Sequence, residues 1–447
     1  MSFPDNFYWG AATSSYQVEG AVHQDGRGAT IWDTFSHTEG KINNAEHGDI
    51  ACDHYNRYAD DVRLMQSLNF NAYRFSFAWS RILPKGIGEI EARGLDFYDR
   101  LLDALLEADI QPFATLYHWD LPQALQDKGG WTSRESMDWF AEYTHVVTSH
   151  FADRVKRWST FNEPYVTSFV GHWQGRHAPG IANLSTALTV AHHVLLSHGK
   201  AIPIIRENVV DAEAGIVLDL HRYIPKTDSP ADIEAHKRQE GLQNHWFSEP
   251  VFNGKYPEYM TNYLADYLTD IDLDEISGAN VPLDFIGINY YMLNRVEHAE
   301  DTHELKTRIV PDENAIITEM NWEVYPQGLY DQLMWLTRTY DTPTIYITEN
   351  GAAFNDSLLD GEVNDSLRVN YFHGHIQAVQ NAINDGADVR GYFAWSLMDN
   401  FEWALGYDKR FGIIYVDFET LERTPKNSAK YYSQIIKHNA VIASEKL

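Results

Sequence analysis

Ile345-Tyr346-Ile347-Thr348-Glu349-Asn350-Gly351 decides how this chain folds. An apolar, β-branched run stops abruptly at a carboxylate, an amide and a glycine. Such a run reads as a buried parallel strand, covered on both faces. Its acidic residue then stands at the strand's C-terminal mouth, the end where α/β barrels keep their chemistry. Far upstream, Arg157-Trp158-Ser159-Thr160-Phe161-Asn162-Glu163-Pro164 follows the same grammar. Two strands that each deliver a glutamate to one rim predict a pair of carboxylates converging on one substrate.

The rest of the chain repeats the pattern. Strands are expected over 7–12, 72–79, 112–119, 157–161, 214–220, 284–291, 345–349 and 390–396. Helical periodicity fills the intervals, over 54–69, 95–108, 133–151, 184–208, 232–246, 327–340, 365–385 and 428–438. In the first of these, Tyr58, Val62, Met65 and Leu68 fall near 3.6-residue spacing. Eight strand–helix units without an internal linker predict an α/β fold, a single (β/α)8 TIM barrel spanning residues 1–447 as one catalytic domain. The surplus length is expected in strand-to-helix loops at 13–53, 164–183, 292–325 and 396–427, which would deepen a pocket.

Composition narrows the function. A net charge of −29 argues against a nucleic-acid partner, which needs clustered Lys and Arg. No apolar run reaches membrane-spanning length, so no membrane partner is expected. The start, Met1-Ser2-Phe3-Pro4-Asp5-Asn6, lacks the basic and apolar regions of a signal peptide, and Cys52 stands alone. A cytoplasmic protein is expected, with a homo-oligomer left open. Thirteen Trp and 26 Tyr exceed what packing alone demands and supply flat partners for sugar rings.

Gln17, His118, Asn162, Glu163, Asn289, Tyr291, Glu349, Trp395, Glu402 and Trp403 all fall at or just past strand ends. A neutral polyol needs many donors and acceptors in fixed places over an aromatic floor. Cleaving its acetal bond needs two carboxyls in different protonation states. His192, His193 and His198 lie on one helix at spacings that do not repeat a ligand face, and no His-Glu-x-x-His is present. Gly86-Ile87-Gly88 is too short for a phosphate loop. No cofactor and no metal are expected.

Five motifs in order carry a resemblance over essentially the whole chain. They are the opening Phe7-Tyr8-Trp9-Gly10-Ala11-Ala12-Thr13-Ser14-Ser15-Tyr16-Gln17-Val18-Glu19-Gly20; Tyr117-His118-Trp119-Asp120-Leu121-Pro122; Thr160-Phe161-Asn162-Glu163-Pro164; Ile347-Thr348-Glu349-Asn350-Gly351; and Asn400-Phe401-Glu402-Trp403. The chain resembles the β-glucosidases of glycoside hydrolase family 1.

That resemblance implies a retaining double displacement on a small oligosaccharide or an aryl or alkyl β-glucoside, with β-galactosides and β-fucosides as further substrates. Glu349 would be the nucleophile and Glu163 the acid and then the base. Arg74 and Tyr291 would hold Glu349, and Asn289 would lie near Glu163. Asn162 would meet the sugar 2-hydroxyl. Gln17, His118, Glu402 and Trp403 would take the remaining hydroxyls over Trp395, with Trp119 and Phe411 as further contacts and Trp322 at the pocket mouth.

Two rivals stand beside it. A 6-phospho-β-glucosidase would want cationic groups where Glu402 stands, and Lys409 alone favours it. A non-catalytic sugar-binding barrel would not need both carboxyls. Departures from the family pattern fall on the leaving-group side, where Tyr165 and Val166 follow the Asn-Glu-Pro in place of Trp and Cys.

Overall fold

Eight parallel strands close into a barrel, and the computed structural model describes residues 2–443. The strands are β1 (Tyr8–Ala12), β2 (Ala72–Ser76), β3 (Gln111–Tyr117), β4 (Arg157–Asn162), β5 (Glu213–Asp219), β6 (Phe285–Asn289), β7 (Thr344–Asn350) and β8 (Val389–Trp395). Each pairs with its sequence neighbours, and β8 closes on β1 with Tyr8 beside Gly391 and Ala12 beside Trp395. Between them run α1 (His54–Ser67), α2 (Ala92–Glu107), α3 (Ser136–His150), α4 (Leu184–Asn208), α5 (Pro230–Glu240), α6 (Pro326–Thr339), α7 (Ser366–Asn384) and α8 (Asn427–His438). No described helix is long and apolar enough to cross a membrane.

The barrel interior is filled rather than hollow. Phe113, Phe285, Tyr346 and Phe393 meet edge to face with ring centroids 4.8–5.2 Å apart, forming a floor. Below them Arg157 stacks on Tyr8 at 4.5 Å and pairs with Glu213. This plug fills the bottom of the barrel, and the cavity lined by Glu163 and Glu349 lies toward the strands' C-terminal ends.

Most predicted elements stand within a few residues of their expected bounds; four departures have identifiable causes. The strand expected over 72–79 stops at Ser76, because the Ala78 amide donates to the Tyr98 hydroxyl and Trp79–Ile82 turns helical. The strand expected over 284–291 ends at Asn289, and the Tyr290 amide donates to the Glu349 carbonyl instead. The helix expected over 232–246 widens into a π-turn at Gly241–His245 and resumes as Trp246–Asn253. The long loops carry structure of their own, including a sheet of Arg222–Pro225, Leu293–His298 and Thr307–Ile309 above the rim.

The loop after β8 is anchored by buried charge. Lys426 donates to Asp356 and Asp399, Arg368 at the start of α7 pairs with Asp356 and Asp365, and Arg410 reaches Asp399. Lys426, Arg368 and Asp399 are fully buried. Removing one partner leaves a buried charge uncompensated. Lys426→Met is therefore expected to cost about 3–5 kcal/mol, read as a lower urea midpoint at unchanged slope.

Candidate active site

Both glutamates reach the rim through a break in strand register. β7 shifts against β8 between Ile347 and Asn350, and against β6 between Ile347 and Glu349. β4 shifts against β5 between Ser159 and Asn162. A register break of this kind bends the strand and re-aims the side chain that follows. Glu163 holds φ 49°, and Trp119 and Trp403 hold 74° and 50°, left-handed conformations that bulky residues keep only where the surroundings enforce them. Gly351 has no substitute, since a Cβ there would sit 1.7 Å from the Trp395 carbonyl oxygen.

Side chains from β2, β4, β6 and β7 then join into one hydrogen-bonded line. Asn289 Nδ2 donates to Glu163 Oε1 at 2.6 Å and to Asn162 Oδ1 at 3.0 Å. Arg74 donates to that same Asn162 Oδ1 at 2.7 Å and to Glu349 Oε1 at 2.6 Å. Tyr291 closes the other side, its hydroxyl donating to Glu349 Oε2 at 2.5 Å. The arginine, costly inside an apolar strand, is thus paid by Glu349 across the barrel.

Above this line opens a cavity of about 920 Å³. His118, Trp119, Glu163, Tyr291, Trp322, Glu349, Trp395, Glu402, Trp403 and Phe411 line it. Arg74, Asn162 and Asn289 stand behind that wall, bonded to what lines it, and Gln17 stands behind it beside Glu402. Gln17 spans from the Ser14 hydroxyl to Asn400 and the Phe401 carbonyl. Asn162 donates to His118 Nε2 at 3.1 Å, which leaves the hydrogen on Nδ1. His118 Nδ1 and Glu402 Oε2 are buried without a hydrogen-bond partner. A donor and an acceptor are thereby left for a ligand that fills the cavity. Tyr165 and Val166 also face the cavity, and Trp322 packs on Tyr291 and Phe411. Lys409 lies 3.6 Å from Glu319, so its charge is already answered.

Electrostatics separate the two glutamates. Burial pushes the Glu163 carboxyl well above the usual range, and the charges of Asp219 and Glu349 add to it. Burial also raises Glu349, but the Arg74 guanidinium and the Tyr291 hydroxyl oppose it. The shared proton therefore resides on Glu163. His118 is held neutral by burial and by Arg74. Burial, then Glu349, lift Glu402 to about 8.

Asp219 escaped the reading of the sequence. It ends β5 and lines the same cavity, with Gln243 donating to its Oδ2 at 2.5 Å. The signal was available: Ile216-Val217-Leu218-Asp219 is an apolar run ending in a carboxylate, the pattern that marks Glu349. The histidines of α4 go to separate partners, His192 to Tyr256, His193 to the Trp131 carbonyl and His198 to Thr160.

A parallel barrel with two buried carboxyls in unlike environments, facing an aromatic and polar cavity, defines a glycoside hydrolase. The model for glycosyl hydrolase family 1 matches residues 1–441. The chain is 45% identical to beta-glucosidase A of Thermotoga maritima over 98% of both chains, and 43% identical to a beta-glucosidase of Agrobacterium sp. over 97% of this chain and 95% of that one. The solved family 1 β-glucosidase of Thermotoga maritima superimposes with a TM-score of 0.96, covering 99% of both chains. The chain belongs to glycosyl hydrolase family 1.

Proposed function

We propose that this chain is a retaining β-glucosidase that releases terminal β-D-glucosyl residues from small oligosaccharides and aryl or alkyl glucosides. One observation carries the reading: the continuous line Glu163–Asn289–Asn162–Arg74–Glu349, which holds two carboxyls in one network with the proton on only one of them. The Thermotoga maritima relative, solved with a cyclophellitol analogue as a transition-state mimic, supports it.

Glu349, kept ionised by Arg74 and Tyr291, attacks the anomeric carbon while Glu163 gives its proton to the leaving oxygen. Once Glu349 is esterified its charge is gone. Glu163 then loses one of the two charges that kept it protonated, and can take a proton from the attacking water. Asn289 orients Glu163 in both steps. Asn162 already serves Arg74, Asn289 and His118, so it meets the 2-hydroxyl by exchanging one of those bonds. Trp395 forms the floor; Gln17, His118, Glu402 and Trp403 hold the outer hydroxyls; Trp119, Trp322 and Phe411 shape the walls. Galactosides and fucosides fit the same carboxyl pair, differing from glucosides only in the hydroxyls that these outer residues read. The barrel acts as one catalytic unit without a cofactor, in the cytoplasm, where the single buried Cys52 thiol stays reduced.

Proton NMR of aryl β-glucoside hydrolysis tests the reading. The β anomer of glucose is expected to appear first and mutarotate later; α-glucose as first product would overturn retention.

The pH dependence adds a second expectation. Activity should follow a bell whose acid limb reports Glu349 gaining a proton and whose alkaline limb reports Glu163 losing one. Asp219 raises Glu163, so Asp219→Asn should lower the Glu163 pKa and move the alkaline limb to lower pH. The kcat/KM profile of the variant reads this directly, and an alkaline limb left in place would deny Asp219 that role.

A further inference from the structure

His37, His47 and Asp49 meet on the long loop between β1 and α1, outside the carboxyl network. His37 caps the helix Ile31–Ser36, and its Nδ1 lies 2.8 Å from the Asp33 carbonyl oxygen. A carbonyl only accepts, so Nδ1 carries a hydrogen, and Nε2 is the ring nitrogen left to face outward. Nε2 faces Asp49 Oδ2 at 3.3 Å, and His47 Nδ1 stands 3.3 Å from Asp49 Oδ1. Asp49 Oδ1 is buried and accepts no hydrogen bond. The rings stack with centroids 4.7 Å apart, and the three ligand atoms lie within 4.8 Å of one another. No other trio of His, Cys, Asp or Glu among the described residues meets that spacing.

We propose that His37, His47 and Asp49 bind a zinc ion at the rim of the cavity and that the ion clips this loop in place. Ligands 2.0–2.1 Å from a tetrahedral zinc stand about 3.3–3.4 Å from one another, and each histidine nitrogen already stands 3.3 Å from an Asp49 oxygen. Two imidazoles and a carboxylate suit zinc and leave a fourth position for water. The Asp33 carbonyl behind His37 is the outer partner that fixes a ligating imidazole's orientation. The two histidines are ten residues apart in no recognised ligand spacing, so no sequence motif marks the site.

The clip would act on the sugar-binding wall. Gly40, Lys41 and Asn43 of the same loop line the cavity. Asn43 and Asn44 donate to Asp408, the Tyr407 amide donates to Glu46, and the Tyr407 hydroxyl donates to the His47 carbonyl. The loop is thus laced to the segment just after Glu402 and Trp403. Trp32, on the helix that His37 caps, packs 4.6 Å from Trp403.

Equilibrium dialysis of the full chain against zinc, followed by metal analysis, tests the proposal. Wild type should retain one zinc ion more than His47→Ser and Asp49→Asn, and magnesium should not replace zinc, because it prefers oxygen ligands. At about a hundredfold excess over Kd, zinc should raise the wild-type thermal midpoint by about 2–3 °C, and neither variant should respond. Equal zinc retention in wild type and both variants would overturn the site. A wild-type midpoint that zinc leaves in place would overturn the clip.

Discussion

Glu349→Ala should lower β-glucoside hydrolysis by roughly 10⁵-fold or more, the scale on which removing an enzyme's nucleophile acts. No other group replaces it: Arg74 and Tyr291, which flank it, are both donors to its carboxylate. The variant also strands the buried Arg74 guanidinium, so a loss of about 3–5 kcal/mol in stability should accompany the loss of rate. Glu349→Gln keeps hydrogen-bonding atoms beside Arg74 and should be equally inactive, which separates catalysis from unfolding. The methyl of Glu349→Ala also leaves space on the face the carboxylate occupied. An α-glucosyl fluoride places its leaving group there and resembles the glycosyl-enzyme in configuration. With an added sugar acceptor, Glu163 can act as base, and the variant should form a β-linked disaccharide that it cannot hydrolyse. No transfer from the α-fluoride in a folded variant would count against Glu349 as nucleophile.

How much of this was legible beforehand divides along physical lines. Barrel strands are buried on both faces, so apolar runs such as Ile345–Ile347 and Ile216–Leu218 betray themselves. The residue that ends such a run faces the rim, and Glu163, Asn289 and Glu349 were found this way. Asp219 obeys the same rule, but Leu220 follows it and extends the apolar run, so the strand expected over 214–220 places Asp219 inside rather than at the rim where β5 ends. The register breaks at Ser159/Asn162 and Ile347/Glu349 could not be read, since they depend on how neighbouring strands pair. For the same reason the sheet joining Arg222–Pro225 to Leu293–His298 was invisible: its partners belong to loops of different barrel units. The β2 boundary was lost to one side chain, the Tyr98 hydroxyl that takes the Ala78 amide.

Glu163→Ala should affect substrates unequally, and the inequality is the evidence for its role. Protonation matters only when the departing oxygen is a poor anion. Glycosides of strongly acidic phenols should still form the glycosyl-enzyme at nearly the wild-type rate, whereas alkyl glucosides and disaccharides should slow by about 10²–10⁴-fold. The second step lacks its base for every substrate. The intermediate should therefore accumulate with good leaving groups, giving a burst of phenol and a depressed KM. Azide needs no base, and the methyl side chain leaves it room and removes a negative neighbour. It should restore turnover with good leaving groups and yield β-glucosyl azide, the configuration that two displacements require. Asn289 loses its 2.6 Å acceptor in this variant but keeps Asn162 and Thr348, so the line to Arg74 and Glu349 persists. Equal slowing of the first step for all leaving groups would place the acid elsewhere, and Asp219, another carboxyl of this cavity that burial raises, would be the residue to examine next.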